Sequence, residues 1–272
     1  MITVKNDGDF GNHLFQYFFL RLHAEFNNLE WYFLDHWVGG TDGFLGDNPK
    51  YNTAYKDVFN LFNLDRGNIS LPHSIGGLNR VDVPNGYYNL GGEDNILYRG
   101  YFQSDSYFKE YKDKLREWLL PKPEYKEESK KFVTSIVNEF NCTVDELCVI
   151  HYRGTSYRNL GYDLSSDWFH KAMGAMKKTT TIKHFIIFTD DVKMAESIWG
   201  NKYKIISNSR LLDFVSLFEF KNFIISASSF SFWPAWLNGV NVIAPEFWFG
   251  HQSKTWKPSI DIKVDNPNWL YL

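Results

Sequence analysis

The chain has 272 residues, 44% of them hydrophobic and 22% charged, with a formal net charge of −3. That is enough for one large domain or two ordinary ones, and the balance is not basic enough for a nucleic-acid partner. Two cysteines, Cys142 and Cys148, are too few for a disulfide framework and read as reduced thiols.

The N-terminus, "MITVKNDG", lacks the basic and then apolar pattern of a secretory leader. No run approaches the length of a membrane span. A cytoplasmic location is the expectation, so the sequons at Asn68 and Asn141 carry no weight. Residues 2–4, "ITV", predict a strand. A turn, Asp7-Gly8-Asp9-Phe10-Gly11-Asn12-His13, follows it. Then Leu14, Phe15, Phe18, Phe19, Leu22 and Phe26 recur at helical spacing. A strand, glycine turn and helix can aim backbone N–H groups at an anion or a polar ligand. The turn has only G-x-x-G, neither a dinucleotide fingerprint nor a P-loop. It serves equally well as a structural turn.

Residues 39–96 are rich in Gly, Asn, Pro and Asp, and predict irregular structure with short strands or helices. Residues 96–108 read as a strand entering a polar loop, and 107–119 as a helix stopped by Pro121 and Pro123. Residues 127–140 form another amphipathic helix. A domain boundary is expected here, giving domains 1–130 and 131–272. Beyond it, apolar runs at 147–152, 184–191, 203–207, 222–228 and 240–245 alternate with helical stretches at 165–177, 191–199, 211–220 and 229–238. That alternation predicts a Rossmann-like α/β domain, with a covered parallel sheet and a ligand beyond the strands' carboxyl ends.

Those ends carry the polar chemistry. The first gives His151-Tyr152-Arg153-Gly154-Thr155-Ser156-Tyr157, the second Thr189-Asp190-Asp191, the fourth Ser226-Ala227-Ser228-Ser229-Phe230. A guanidinium suits phosphate through parallel charge-assisted bonds. Ser228 and Ser229 sit at a helix N-terminus, where negative charge is favoured. Asp190 or Asp191 can accept from a base or ribose. The set fits a nucleotide-diphosphate pocket. Each residue also has a plainer reading: Asp191, Ser228 or Ser229 as helix caps, His151 as a core histidine, Arg153 as half of an ion pair. The aromatic content of 18%, with ten Trp, fits a packed core or, in part, surfaces that stack on ring-shaped ligands such as sugars. No Cys/His cluster has metal-ligand spacing.

These motifs resemble the α1,2-fucosyltransferases of glycosyltransferase family 11, and more distantly the α1,6- and protein O-fucosyltransferases. The family's G-x-x-G-N-Q-x-F-Q-Y appears as Gly8 to Tyr17, its G-Y-F-Q-S as Gly100 to Ser104, and its H-x-R-R-G-D-Y as His151 to Tyr157. Its S-D-D appears as Thr189 to Asp191 and its S-S-F-S-W-W-G-A-W-L as Ser228 to Leu237. The resemblance implies a GT-B architecture, two Rossmann-like domains facing across a cleft. It implies an inverting, metal-independent transfer of L-fucose from GDP-fucose to a glycan, α1,2 to galactose, with no cofactor. Arg153 would stabilise the leaving diphosphate. His151, Asp190, Asp191, Ser228, Ser229 and Phe230 would hold the nucleotide, with Gly11 and Asn12 of the opening turn reaching donor and acceptor. The candidate catalytic residues are Arg153, Asn12 and His13.

Two departures stand out. Asn-Gln is Asn12-His13 here, and an imidazole can serve as general base at neutral pH. R-R-G-D is Arg153-Gly154-Thr155-Ser156, which keeps the first arginine and loses the second and the aspartate. The change leaves open another sugar nucleotide or linkage, or a non-catalytic binding protein.

Overall fold

The computed structural model describes residues 1–34, 37–38, 45–46, 56–70, 75–84, 86–246 and 264–272. Parts of the irregular region expected over 39–96, at 39–44, 47–55, 71–74 and 85, lie outside the described residues. Two compact units emerge, the first over Met1–Leu120 and the second beginning at Pro121. The division therefore precedes the helix at Pro123–Phe140 instead of cutting it at 130/131. That helix starts with its proline in the first turn, where a missing N–H costs nothing, and packs on a helix of the second unit.

In the first unit, β1 (Ile2–Val4) leads into α1 (Phe10–Asn27). A short antiparallel pair, β2 (Trp37–Val38) and β3 (Leu45–Gly46), precedes β4 (Asn79–Asp82) and β5 (Ile96–Arg99). Strands β1, β5 and β4 form a parallel three-stranded sheet in that order, with Thr3 beside Leu97 and Val81 beside Tyr98. Two 3₁₀ turns, Asp105–Tyr107 and Lys109–Tyr111, lead to α2 (Lys112–Trp118). Asp9 caps α1 by accepting from Phe10 N, and Asn28 ends it in the left-handed region at φ 52°. The spacing that predicted α1 holds for Leu14, Phe15, Phe18, Phe19 and Leu22, all buried. Phe26 departs from it and is 80% exposed, because in the last turn that face opens into a pocket.

In the second unit, α3 (Pro123–Phe140) precedes β6 (Leu147–Tyr152), α4 (Thr155–Leu160), α5 (Ser166–Thr179) and β7 (His184–Thr189). Then come α6 (Val192–Trp199), β8 (Lys204–Ile206), α7 (Arg210–Leu217) and β9 (Asn222–Ile225). The unit ends with α8 (Ser229–Asn238), β10 (Asn241–Ala244) and β11 (Trp269–Tyr271). All six strands are parallel, in the order β8-β7-β6-β9-β10-β11. Counted along the chain that is 3-2-1-4-5-6, the doubly wound order, whose topological switch point lies between β6 and β9. The sixth strand, β11, was not expected from its short, mixed sequence.

Every residue of β6 is buried, as a central strand covered on both faces requires. Alternation then decides where its side chains go. Cys148, Ile150 and Tyr152 enter a core with Phe169 and Met173 of α5 and Trp199 of α6. His151 turns to the other face and stacks on Phe230 of α8, ring centroids 5.5 Å apart.

Candidate active site

The carboxyl ends of β6, β7 and β9 meet at the switch point and bring the predicted residues of the second unit together. Arg153 Nη1 donates to Asp190 Oδ2 at 2.7 Å. Gly154 N donates to the other carboxylate oxygen, Asp190 Oδ1, at 2.9 Å. Thr155 Oγ1 donates to the Asp190 carbonyl at 3.1 Å. Asp190 thus fixes the turn that follows β6, so its oxygens serve to position Arg153. From the β9 side, Ser226 Oγ donates to the His151 carbonyl at 2.7 Å and accepts from Arg153 N at 3.0 Å. Arg153 is held from both neighbouring strand ends, with its guanidinium 5.6 Å from the Tyr157 ring centroid.

His151 is buried, and burial depresses its pKa to about 3, with Asp190 opposing and Arg153 reinforcing the shift. The ring is therefore neutral at physiological pH. Its Nδ1 is buried without a hydrogen-bond partner, an open valence for a ligand donor or acceptor. The stacked Phe230 is itself set by Phe214 of α7, whose ring is edge-on at 5.1 Å. Ser228 caps α8, accepting from Phe230 N at 3.4 Å, and Ser229 opens the helix. This ten-residue helix puts its positive end beside Arg153's strand.

Asp191 takes the plainer reading. It caps α6 by accepting from Met194 N at 3.2 Å, and its other oxygen accepts from Arg158 Nη2 at 2.9 Å. Both oxygens are committed to the scaffold. Gly154 explains one departure in the motif: a Cβ there would lie 2.5 Å from Asp191 Cβ, so only glycine fits this approach.

In the first unit the opening turn joins a distant segment. Gly8 adopts φ +84°, and a Cβ there would collide with the Asn12 amide. Asn12 Oδ1 accepts from Gln103 Nε2 at 2.6 Å. Gln16 spans the same two segments, donating to the Gly100 carbonyl at 3.0 Å and accepting from Asp7 N at 3.2 Å. The motifs at 8–17 and 100–104 are thus one structural unit, with Gly11 buried in the first turn of α1. His13 follows Asn12 on α1 and is 2% exposed, packed within the first unit.

Asp213, on α7, is a buried carboxylate that pattern reading missed. It is buried, with Asn208 N and Asn208 Nδ2 donating to its two oxygens at 3.1 and 3.0 Å. Burial raises its carboxyl to about 6 against those bonds. In the sequence it is one more Asp on an amphipathic helix. Among the described residues no group of three or more His, Cys, Asp or Glu could hold a metal ion, and no helix is long and apolar enough to cross a membrane.

The sequence model of Glycosyl transferase family 11 matches residues 87–272, the whole of this switch-point site included. The chain belongs to that family. It is 30% identical over 118 residues to the O-antigen biosynthesis glycosyltransferase WbnK of Escherichia coli, covering 40% of this chain and 37% of that one. It is 27% identical over 175 residues to the alpha-1,2-colitosyltransferase of Escherichia coli, covering 57% of each. The chain thus matches less than two thirds of the length of either relative. Its fold is similar to NodZ alpha-1,6-fucosyltransferase in a crystal soaked with GDP-fucose, at TM-score 0.52 and 12% identity, covering 92% of this chain and 97% of that one. A selenomethionine NodZ from Bradyrhizobium gives TM-score 0.50 at 12% identity, covering 90% and 94%. What is shared with these fucosyltransferases is the fold.

Proposed function

We propose that this glycosyltransferase moves L-fucose from GDP-fucose to a galactose hydroxyl of a glycan, forming an α1,2 linkage with inversion and without a metal. The GT-B arrangement of two Rossmann-like domains and a cytoplasmic location belong to the same proposal. One observation carries it: Arg153, His151 and the N-terminus of α8 converge at the switch point of a 3-2-1-4-5-6 sheet in a family 11 chain. Cleaving the bond between sugar and diphosphate builds negative charge on the leaving phosphate. A guanidinium held in advance by Asp190 and Ser226 stabilises that charge without reorganising. The neutral His151 ring and the stacked Phe230 bound the nucleotide, and the positive end of α8 favours the pyrophosphate. Gly11 and Asn12 of the opening turn reach the donor and the acceptor, with Asn12 oriented by Gln103.

The test is release of GDP from GDP-fucose on a panel of β-galactosides, with and without EDTA. Acceptor-dependent release that survives EDTA and is lost in Arg153→Ala is the expected result. A second reading has its own support, since one relative is named for transferring colitose. In that case GDP-fucose is left intact while GDP-colitose is consumed. GDP binding with neither donor consumed would mark a non-catalytic relative.

A further inference from the structure

Within the first unit lies a pocket of about 270 Å³ whose lining includes none of the candidate site residues. Its floor is the outer face of α1, with Phe19, His23 and Phe26, and its walls carry Tyr87, Tyr88 and Tyr107. We propose that it is a carbohydrate subsite, which holds a sugar ring of the acceptor chain away from the point of transfer. The inference rests on the reading of the acceptor as a glycan.

A pyranose ring presents an apolar C–H face and a rim of hydroxyls. A site for it needs exposed aromatic faces beside uncharged or acidic hydrogen-bonding groups. Both are present. Phe26 is 80% exposed, Tyr87 53% and Tyr88 42%, a cluster of aromatic surface gathered in one concavity. Asn27, Asn89, Ser106 and Glu110 supply acceptors and donors around it. Among the described residues no Lys or Arg lines the pocket, and burial keeps the His23 pKa low. A phosphate or nucleotide therefore has no cation to meet there, whereas a neutral, hydroxylated ring matches the lining.

The walls are also set in advance. Tyr107 Oη accepts from Tyr88 N at 2.9 Å, and its ring lies 4.8 Å from Tyr87 and 5.4 Å from Phe19. Asn27 Nδ2 donates to the His23 carbonyl at 2.8 Å. A Cβ at Gly92 would sit 2.5 Å from Asn27 Oδ1, so glycine makes room for that amide. Side chains already ordered lose less entropy on binding. Phe26 lies more than four turns along α1 from Phe10, about 24 Å at the helical rise. The pocket is thus distinct from the opening turn. A remote sugar held here would contribute binding energy away from the reacting atoms.

The full-length chain on a glycan array, without donor, tests the assignment. The wild type is compared with Tyr88→Ala and with Phe26→Ser, both at exposed positions, with thermal melting and GDP affinity as folding controls. Expected are oligosaccharide ligands that either substitution weakens tenfold or more, with melting and GDP binding unchanged. For a glycan that is also an acceptor, KM should rise tenfold in Tyr88→Ala, with kcat and the KM of a simple methyl β-galactoside unchanged. An array that retains no glycan, or glycans held equally by wild type and both variants, overturns the subsite. Glycan binding that depends on Tyr88 with no turnover of any donor leaves the subsite standing and rejects the transferase reading instead.

Discussion

Arg153 Nη1 lies 2.7 Å from Asp190 Oδ2, while the other oxygen of that carboxylate takes the N–H of Gly154 at 2.9 Å. One side chain thus holds both the candidate phosphate-binding group and the backbone that carries it. The pair is partly exposed, 25% and 29% at the two side chains, and contributes no more than about 1 kcal/mol to stability. Its effect on turnover should be larger. Asp190→Asn keeps an oxygen for Gly154 N but removes the charge facing Arg153. We expect turnover to fall about tenfold, against 100-fold or more for Arg153→Ala, with the melting temperature nearly unchanged. Steady-state kinetics and melting curves on the same samples decide it. Equal turnover in wild type and Asp190→Asn would show that Arg153 is oriented without Asp190.

Gly154 stands where the family motif has a second arginine. The Asp191 side chain approaches so closely that a Cβ has no room. Gly154→Ala should destabilise the chain by about 1–3 kcal/mol through overpacking. Restoring the arginine by Gly154→Arg should be at least as harmful, because the same Cβ is added. Urea unfolding checks both, and a Gly154→Arg protein as stable as wild type would refute the steric account. Arg158 already supplies a guanidinium to Asp191, at 2.9 Å.

The second unit was legible because its strands are buried on both faces and therefore read as unbroken apolar runs, as "LCVIHY" does. Its strand-end residues followed from the same alternation. Function and scaffold were harder to separate. Asp191 caps a helix and Asp190 positions a neighbour, and one sequence cannot distinguish those roles from ligand contact. Phe26 has the right helical spacing, but spacing cannot say where a core ends. Asp213 was invisible because its significance comes from burial. His13 was read from residue type, and its burial is set by packing that one sequence does not show.

The bond from Gln103 Nε2 to Asn12 Oδ1, at 2.6 Å, ties the opening turn to the segment after β5. Gln103 is 1% exposed, with its Oε1 already unpartnered. Asn12→Ala leaves the whole amide without this partner and should cost about 1–3 kcal/mol. Gln103→Leu removes the buried polar group along with the bond and should cost less. The double variant should fall short of the sum, and the difference in unfolding free energy measures the coupling. Strict additivity would mean that the two segments are held together by other contacts.

Two buried groups give stability opposite dependences on pH. The His151 ring, with an ordinary pKa of 6.5, stays neutral in the folded chain down to about 3. Its burial therefore costs nothing above about pH 6.5, and stability falls as pH drops from there towards 3, where only the unfolded chain gains the proton. Asp213 goes from 3.8 in the unfolded chain to about 6 when folded. Stability is then greatest below about pH 4 and falls as pH rises through 6, by about 3 kcal/mol at 1.36 kcal/mol per pH unit. Between pH 4 and 6 the two trends oppose each other and flatten the profile. Asp213→Asn removes the second trend. It should raise stability at pH 7, less whatever the altered Asn208 bonds cost, and make the loss between pH 6 and 4 steeper, because the histidine then acts alone. Urea unfolding at pH 4.5, 5.5 and 7 reads both effects. Parallel profiles for wild type and variant would show that Asp213 is ionised at its ordinary pKa in the folded chain.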